Sequence, residues 1–182
     1  MGPQVDELLR GAEIDLLYTD PPWGDRYLAM FATHTAKATG RKPDQPSFKD
    51  LTARLASLIR QHVKGFACVE MSNAEADGIE TMLKAVCPFG VVRKQAVYAG
   101  KYNQVVLIGG VAKPVPEIDI AGFKGQSLVT QIVSSLVSKG ASVFDPFCGA
   151  GYTAQAAKSC GCSFYGNELN PARLAKTIAR IK

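Results

Sequence analysis

The stretch Val143-Phe144-Asp145-Pro146-Phe147-Cys148-Gly149-Ala150-Gly151-Tyr152-Thr153-Ala154-Gln155-Ala156-Ala157 (VFDPFCGAGYTAQAA) decides the fold of this 182-residue chain. A short apolar run ends in an acid, a Gly-Ala-Gly turn follows, and small residues then suit a helix. Glycines admit positive φ and let a ligand approach the backbone. The free N–H groups of a helix start attract an anionic group. The next strand, Cys162-Ser163-Phe164-Tyr165-Gly166-Asn167-Glu168 (CSFYGNE), ends in a second acid, seventeen residues after Gly151. An acid on the neighbouring strand is placed for ribose hydroxyls. A lone Gly-x-Gly would be read first as a tight strand–helix turn with glycines for packing. Strand, acid, Gly-x-Gly, helix, strand and acid in that order favour a nucleoside site.

Outward from that stretch, strands alternate with helices. AEIDLLYTD, from Ala12 to Asp20, reads as a buried strand. Residues 40–50 read as a polar, proline-containing loop, and SFKDLTARLASLIRQHV has its apolar residues at helical spacing. Ser47 with Asp50 resembles a capping box. GFACVEMS is a second strand, and a second helix opens at Asn73 and closes before Pro88. VVRKQAVYAG and QVVLIGGVA flank GKYN as a hairpin. QSLVTQIVSSLVSKG reads as a helix ending at Gly140, and PARLAKTIARI as the last helix. This alternation predicts an α/β fold, with a mostly parallel sheet covered on both faces and an antiparallel hairpin at its edge. Ligands of such sheets bind beyond the carboxyl ends of the strands, at a switch point.

Two strands end in an acid followed by proline, Asp145-Pro146 and Asp20-Pro21. The second sits in Tyr18-Thr19-Asp20-Pro21-Pro22-Trp23-Gly24, which holds the only tryptophan. Two prolines stop a ladder or helix and hold the backbone rigid. One fixed carboxylate beside one large aromatic ring suits the wall of a site, although a plain turn uses the same residues. Placed at the two strand ends, both acids are expected to face one crevice.

Composition narrows the class. Apolar residues make up 47% and charged residues 20%, which is globular. No apolar run has the length of a membrane span, and the polar N-terminus resembles no secretory signal. The cytoplasm is the expected location. The formal charge of +5 leans weakly toward a polyanionic partner. Five cysteines without repeating spacing, and only two histidines, His34 and His62, support neither a disulfide framework nor a metal site. No metal is expected.

DPFCGAGYTA together with FYGNELNPARLAKTIARI resembles the S-adenosylmethionine loop and following acid of amino-methyltransferases. YTDPPWG resembles the catalytic Asp-Pro-Pro-aromatic motif of the same enzymes. The catalytic motif precedes the cofactor motif, the permuted order of the β-class of adenine-N6 and cytosine-N4 DNA methyltransferases. The resemblance is carried by residues 18–24 and 143–170. It implies a single Rossmann-like methyltransferase domain over residues 1–182, with S-adenosylmethionine as cofactor and DNA as partner. Catalysis is assigned to Asp20, Pro21, Pro22 and Trp23: Asp20 and the Pro21 carbonyl would accept the amine hydrogens, and Trp23 would stack on a flipped base. The cofactor is assigned to Asp145, Pro146, Phe147, Gly149, Ala150, Gly151, Glu168 and Asn170, with Lys124 and Ser127 near its carboxylate. Arg26, Arg41, Lys42 and Lys49 are the expected phosphate contacts.

The family often has a lysine–proline pair where this chain reads Gly125-Gln126-Ser127. The family's next sheet strand after the final helix is expected to be absent, and no segment here is large enough to be expected to serve as a target-recognition domain. Weak sequence selectivity follows, or recognition supplied by a homodimer or a partner subunit. The small size suits a phage or mobile-element enzyme. Asp at the head of the motif favours adenine N6 over cytosine N4. An RNA adenine methyltransferase, a non-catalytic nucleic-acid-binding subunit and a protein glutamine methyltransferase are the alternatives.

Overall fold

The computed structural model describes residues 3–98 and 101–182. Its strands are β1 (Ile14–Thr19), β2 (Val63–Ser72), β3 (Val91–Tyr98), β4 (Lys101–Gly110), β5 (Ser142–Asp145) and β6 (Ser163–Gly166). Its helices are α1 (Pro3–Leu8), α2 (Asp25–Thr39), α3 (Phe48–His62), α4 (Ala76–Val86), α5 (Gln126–Leu136), α6 (Tyr152–Ser159) and α7 (Pro171–Ile181). The strands form one sheet in the order β3-β4-β2-β1-β5-β6. β1 lies parallel to both β2 and β5, and β6 parallel to β5. β3 and β4 supply the antiparallel edge; of the turn expected at GKYN, residues 100–103, Lys101 to Asn103 already belong to β4, and residues 99–100 lie outside the described residues.

The apolar strands are continuous because both sheet faces are covered. Leu17, Val69, Met71 and Leu107 pack toward α1, α3 and α4. Their neighbours Leu16, Tyr18, Cys68 and Ile108 point the other way, toward α5 and α6. That is the two-residue period of a strand read on two faces. From β1 the chain crosses to β2 on one side, and from β5 to β6 on the other. The strand order therefore reverses between β1 and β5, and a crevice opens beyond their carboxyl ends.

The capping box of α3 is present: Asp50 N–H donates to Ser47 Oγ at 3.1 Å, and Ser47 N–H to Asp50 Oδ2 at 3.2 Å. Three boundaries differ from the sequence reading. α4 starts at Ala76 because Asn73 N–H still donates across the sheet to Asn103 O at 3.0 Å. α5 ends at Leu136, where Val137 is extended; Gly140 (φ 89°) instead turns the chain into β5, its N–H bound to Gly161 O. β6 ends at Gly166, two residues before Glu168. α1 and α2 have no counterpart in the sequence reading. α2 buries only Leu28, Ala32 and Thr35, too thin a stripe to stand out among its polar residues.

Candidate active site

Two strand ends build the site. β1 runs out at Asp20, and the buried Pro21 fixes the backbone that follows. Gly24 (φ 93°) then starts α2. The Trp23 indole N–H donates to Asp20 Oδ1 at 2.8 Å. This bond ties the ring to the acid, and Trp23 stands beside the cleft, half-buried and tilted against Tyr27, rather than on its lining. Water reaches the Asp20 side chain, yet protein atoms crowd it on the concave floor. That crowding raises its pKa to about 6; the indole bond lowers it, and the Asp145 charge adds to the rise.

β5 ends at Asp145, which is 3% exposed. Its Oδ1 accepts Phe147 N–H at 3.0 Å, and its Oδ2 accepts the Thr153 hydroxyl at 2.7 Å. The carboxylate thus staples both ends of the glycine loop. Burial raises its pKa to about 6 despite those two bonds. Gly149 (φ 53°) and Gly151 (φ 87°) are both left-handed, for different ends. A Cβ on Gly151 would stand 2.8 Å from Thr177 Cα, so this glycine lets α7 pack on α6. A Cβ on Gly149 would meet nothing nearer than Phe147 O at 3.7 Å, so that backbone faces open space.

The two ends meet in one cleft of about 900 Å³, including its open mouth. Asp20 and Pro22 line it from β1, and Pro146, Phe147, Glu168 and Asn170 from the second half. Glu168 is half-buried and accepts Asn170 N–H through Oε1 at 2.7 Å. Asn170 caps α7, accepting from Ala172 N at 3.0 Å and Arg173 N at 3.3 Å. The exposed Ala150, with Gly149 and Gly151, lies on the loop outside this lining. Lys124 and Ser127 are also outside it and serve the turn into α5, where Ser127 Oγ donates to Lys124 O at 2.9 Å. Arg26, Arg41, Lys42 and Lys49 are all exposed, and none forms an ion pair among the described residues.

The opposite wall was not read from the sequence. Leu28, Phe31 and Thr35 of α2 form it, continued by Pro43, Asp44 and Gln45. The Arg173 guanidinium lies 4.6 Å from the centre of the Phe31 ring and joins α7 to α2 across the cleft. His34 also lines this wall, edge-on to Phe31. Beneath Asp20 lies a further acid, Glu70 of β2, 6% exposed. A lone acid inside the apolar run GFACVEMS was the signal that could have found it.

Among solved structures, M1.HpyAVI superposes with a TM-score of 0.65 at 18% identity, over 97% of this chain and 92% of that one. PvuII DNA methyltransferase (cytosine-N4-specific) gives 0.67 at 13% identity, over 100% and 85%. The chain has the DNA methyltransferase fold. A further structure with this fold, TTHA0409 from Thermus thermophilus complexed with S-adenosyl-L-methionine, gives 0.62 at 16% identity over 97% and 89%. Residues 122–179 match the DNA methylase family model. The match runs from the turn before α5 through nearly all of α7, and so contains the glycine loop and Glu168. The curated protein sequences contain no match to the chain.

Proposed function

We propose that this protein transfers a methyl group from S-adenosylmethionine to an exocyclic amine of a base in DNA, with adenine N6 as the preferred acceptor. The observation that carries this reading is the convergence of Asp20 and Glu168 on one cleft at the strand-order reversal. The residues present fit the cofactor. Gly149 leaves backbone open to a ligand, Glu168 offers a half-buried carboxylate for ribose hydroxyls, and Phe147 supplies an aromatic wall. The DNA methylase match over this half, and the bound S-adenosyl-L-methionine of TTHA0409, support the same assignment.

The cofactor supplies an electrophilic methyl on a sulfonium. The chain's residues supply alignment and a dry approach. Asp20 Oδ1 is held by Trp23, which leaves Oδ2 to accept an amine hydrogen. The Pro21 carbonyl, fixed by its ring and by Pro22, accepts the other. Both bonds turn the amine lone pair toward the methyl. Asp20 then takes the proton that the amine releases. Trp23 is assigned to stacking on a flipped base, which requires its ring to turn a face to the cleft. Arg26, Arg41, Lys42 and Lys49 would track phosphates near the cleft mouth. A second copy or a partner subunit would supply sequence recognition.

The structural likeness to the cytosine-N4-specific PvuII enzyme favours cytosine N4 as the second reading. Incubation with methyl-labelled S-adenosylmethionine and duplex DNA, single-stranded DNA or RNA, followed by nucleoside analysis, tests both. N6-methyladenine in DNA is the expected product. N4-methylcytosine replaces the first reading with the second, and label confined to RNA or to neither polymer rejects both.

A further inference from the structure

Glu70 lies on β2 beside the last residues of β1, because Thr19 pairs with Val69. Its carboxyl is buried, and both of its oxygens face polar side chains. Tyr18 OH is bonded to Oε1, and the Gln104 amide stands 2.5 Å from Oε2. No lysine, arginine or histidine pairs with it among the described residues. The groups facing it are acids or weak acids: Tyr18 and Asp20 from β1, Cys68 on its own strand, and Asp145 from β5, with neutral Gln104 from β4. A buried carboxylate with no cation and two acids nearby has only those two neutral hydrogen bonds to set against its burial.

We infer that Glu70 is a positioning residue for the Asp20 chemistry: it keeps its proton, so that the one negative charge of the Asp20–Glu70 pair rests on Asp20, where the amine docks. The inference deepens the methyl-transfer reading and rests on it for its catalytic meaning. The Gln104 amide contact at Oε2 can run in either sense, because the amide oxygen and nitrogen can exchange places. A protonated Glu70 can donate that bond to the Gln104 amide oxygen, since the amide turns end for end without moving its heavy atoms. Tyr18 then donates to the other Glu70 oxygen. Burial and the Asp20 charge push the Glu70 pKa up to about 8, whereas Asp20 titrates near 6. Between those values the pair holds one proton, and the more deeply enclosed acid retains it. Above them a second charge enters the pocket and repels Asp20 from its docking position.

Glu70→Gln is the discriminating variant, because it is neutral at every pH and keeps both polar contacts. Infrared spectra of the wild-type protein near neutral pH should contain the C=O stretch of a buried protonated carboxyl. Glu70→Gln should remove it, and this readout needs no substrate. In methyl-transfer assays the wild type should lose roughly tenfold in rate at about one pH unit above the Glu70 pKa. Glu70→Gln should lose less than about twofold there and keep the acid limb set by Asp20. The inference is overturned if no protonated-carboxyl band disappears in Glu70→Gln, if that variant is inactive at neutral pH, or if its alkaline limb matches the wild type. A band that vanishes as expected, in a protein that methylates nothing, supports the protonated Glu70 and removes only the methyl-transfer reading.

Discussion

The two acid–proline strand ends look alike in sequence and differ in the molecule. Asp145 is buried, and both its oxygens are spent on Phe147 N–H and the Thr153 hydroxyl, so it serves the loop. Asp20 is open to the cleft and spends Oδ1 on Trp23. Both carboxyls are pushed to about 6. The same shift therefore accompanies two settings, and the contacts, not the pKa, separate the acid that holds the loop from the acid proposed for the chemistry. What surrounds an acid teaches more than how strongly it is perturbed.

The sharpest way to break this contrast is substitution at Asp20. Asp20→Ala should lower methyl-transfer turnover by roughly a thousandfold, with cofactor affinity by calorimetry nearly unchanged and the melting temperature at neutral pH unchanged or raised. Turnover within tenfold of the wild type would make Asp20 as structural as Asp145. The mirror experiment is Asp145→Ala, which frees Phe147 N–H and the Thr153 hydroxyl inside the protein. It should cost about 1–3 kcal/mol in urea unfolding and weaken cofactor binding through the loosened loop. Loss of turnover with full stability would transfer the chemical role to Asp145.

Acidity sharpens the comparison next. Asp145 holds its proton more tightly folded (about 6) than at its ordinary value of 3.8. Its contribution to stability is therefore fully present below the unfolded value and is lost as pH rises through about 6. Asp20 acts in the same direction over the same window, and Glu70 extends it to about 8. The buried Asp145 and Glu70 each lower unfolding free energy by about 1.4 kcal/mol per pH unit inside their windows, and Asp20, open to water, by less because solvent screens it. Denaturation at stepped pH should show stability falling from mild acid to neutrality, less steeply in Asp145→Asn. Turnover should rise across the same range as Asp20 ionises. A flat stability profile would remove the burial argument for both acids.

The smallest effect belongs to the rim. Lys42→Ala with Lys49→Ala should reduce the salt slope of DNA binding by about 2 and leave the cleft chemistry intact. An unchanged slope would make these lysines ordinary solvated surface.

Part of the candidate cleft was legible because its motifs are local: Asp20, Pro22, Pro146, Phe147, Glu168 and Asn170 line it. Asp20-Pro21-Pro22-Trp23 and Gly149-Ala150-Gly151 announce themselves through residue types that only particular backbones tolerate. The cleft's far wall was not legible. Phe31, Asp44 and Arg173 belong to separate segments and meet only when α2 folds back toward α7. Gly151 read as a ligand-loop glycine, but its missing Cβ is filled by Thr177, twenty-six residues later in the sequence.

Alternating apolar strands and amphipathic helices determined the layered α/β plan, because period and burial are properties of neighbouring residues. Which acid stays open, which is enclosed, and where a lone proton rests were decided by tertiary structure. Desolvation depends on every atom packed around a carboxyl, and those atoms arrive from β1, β2, β4 and β5 together.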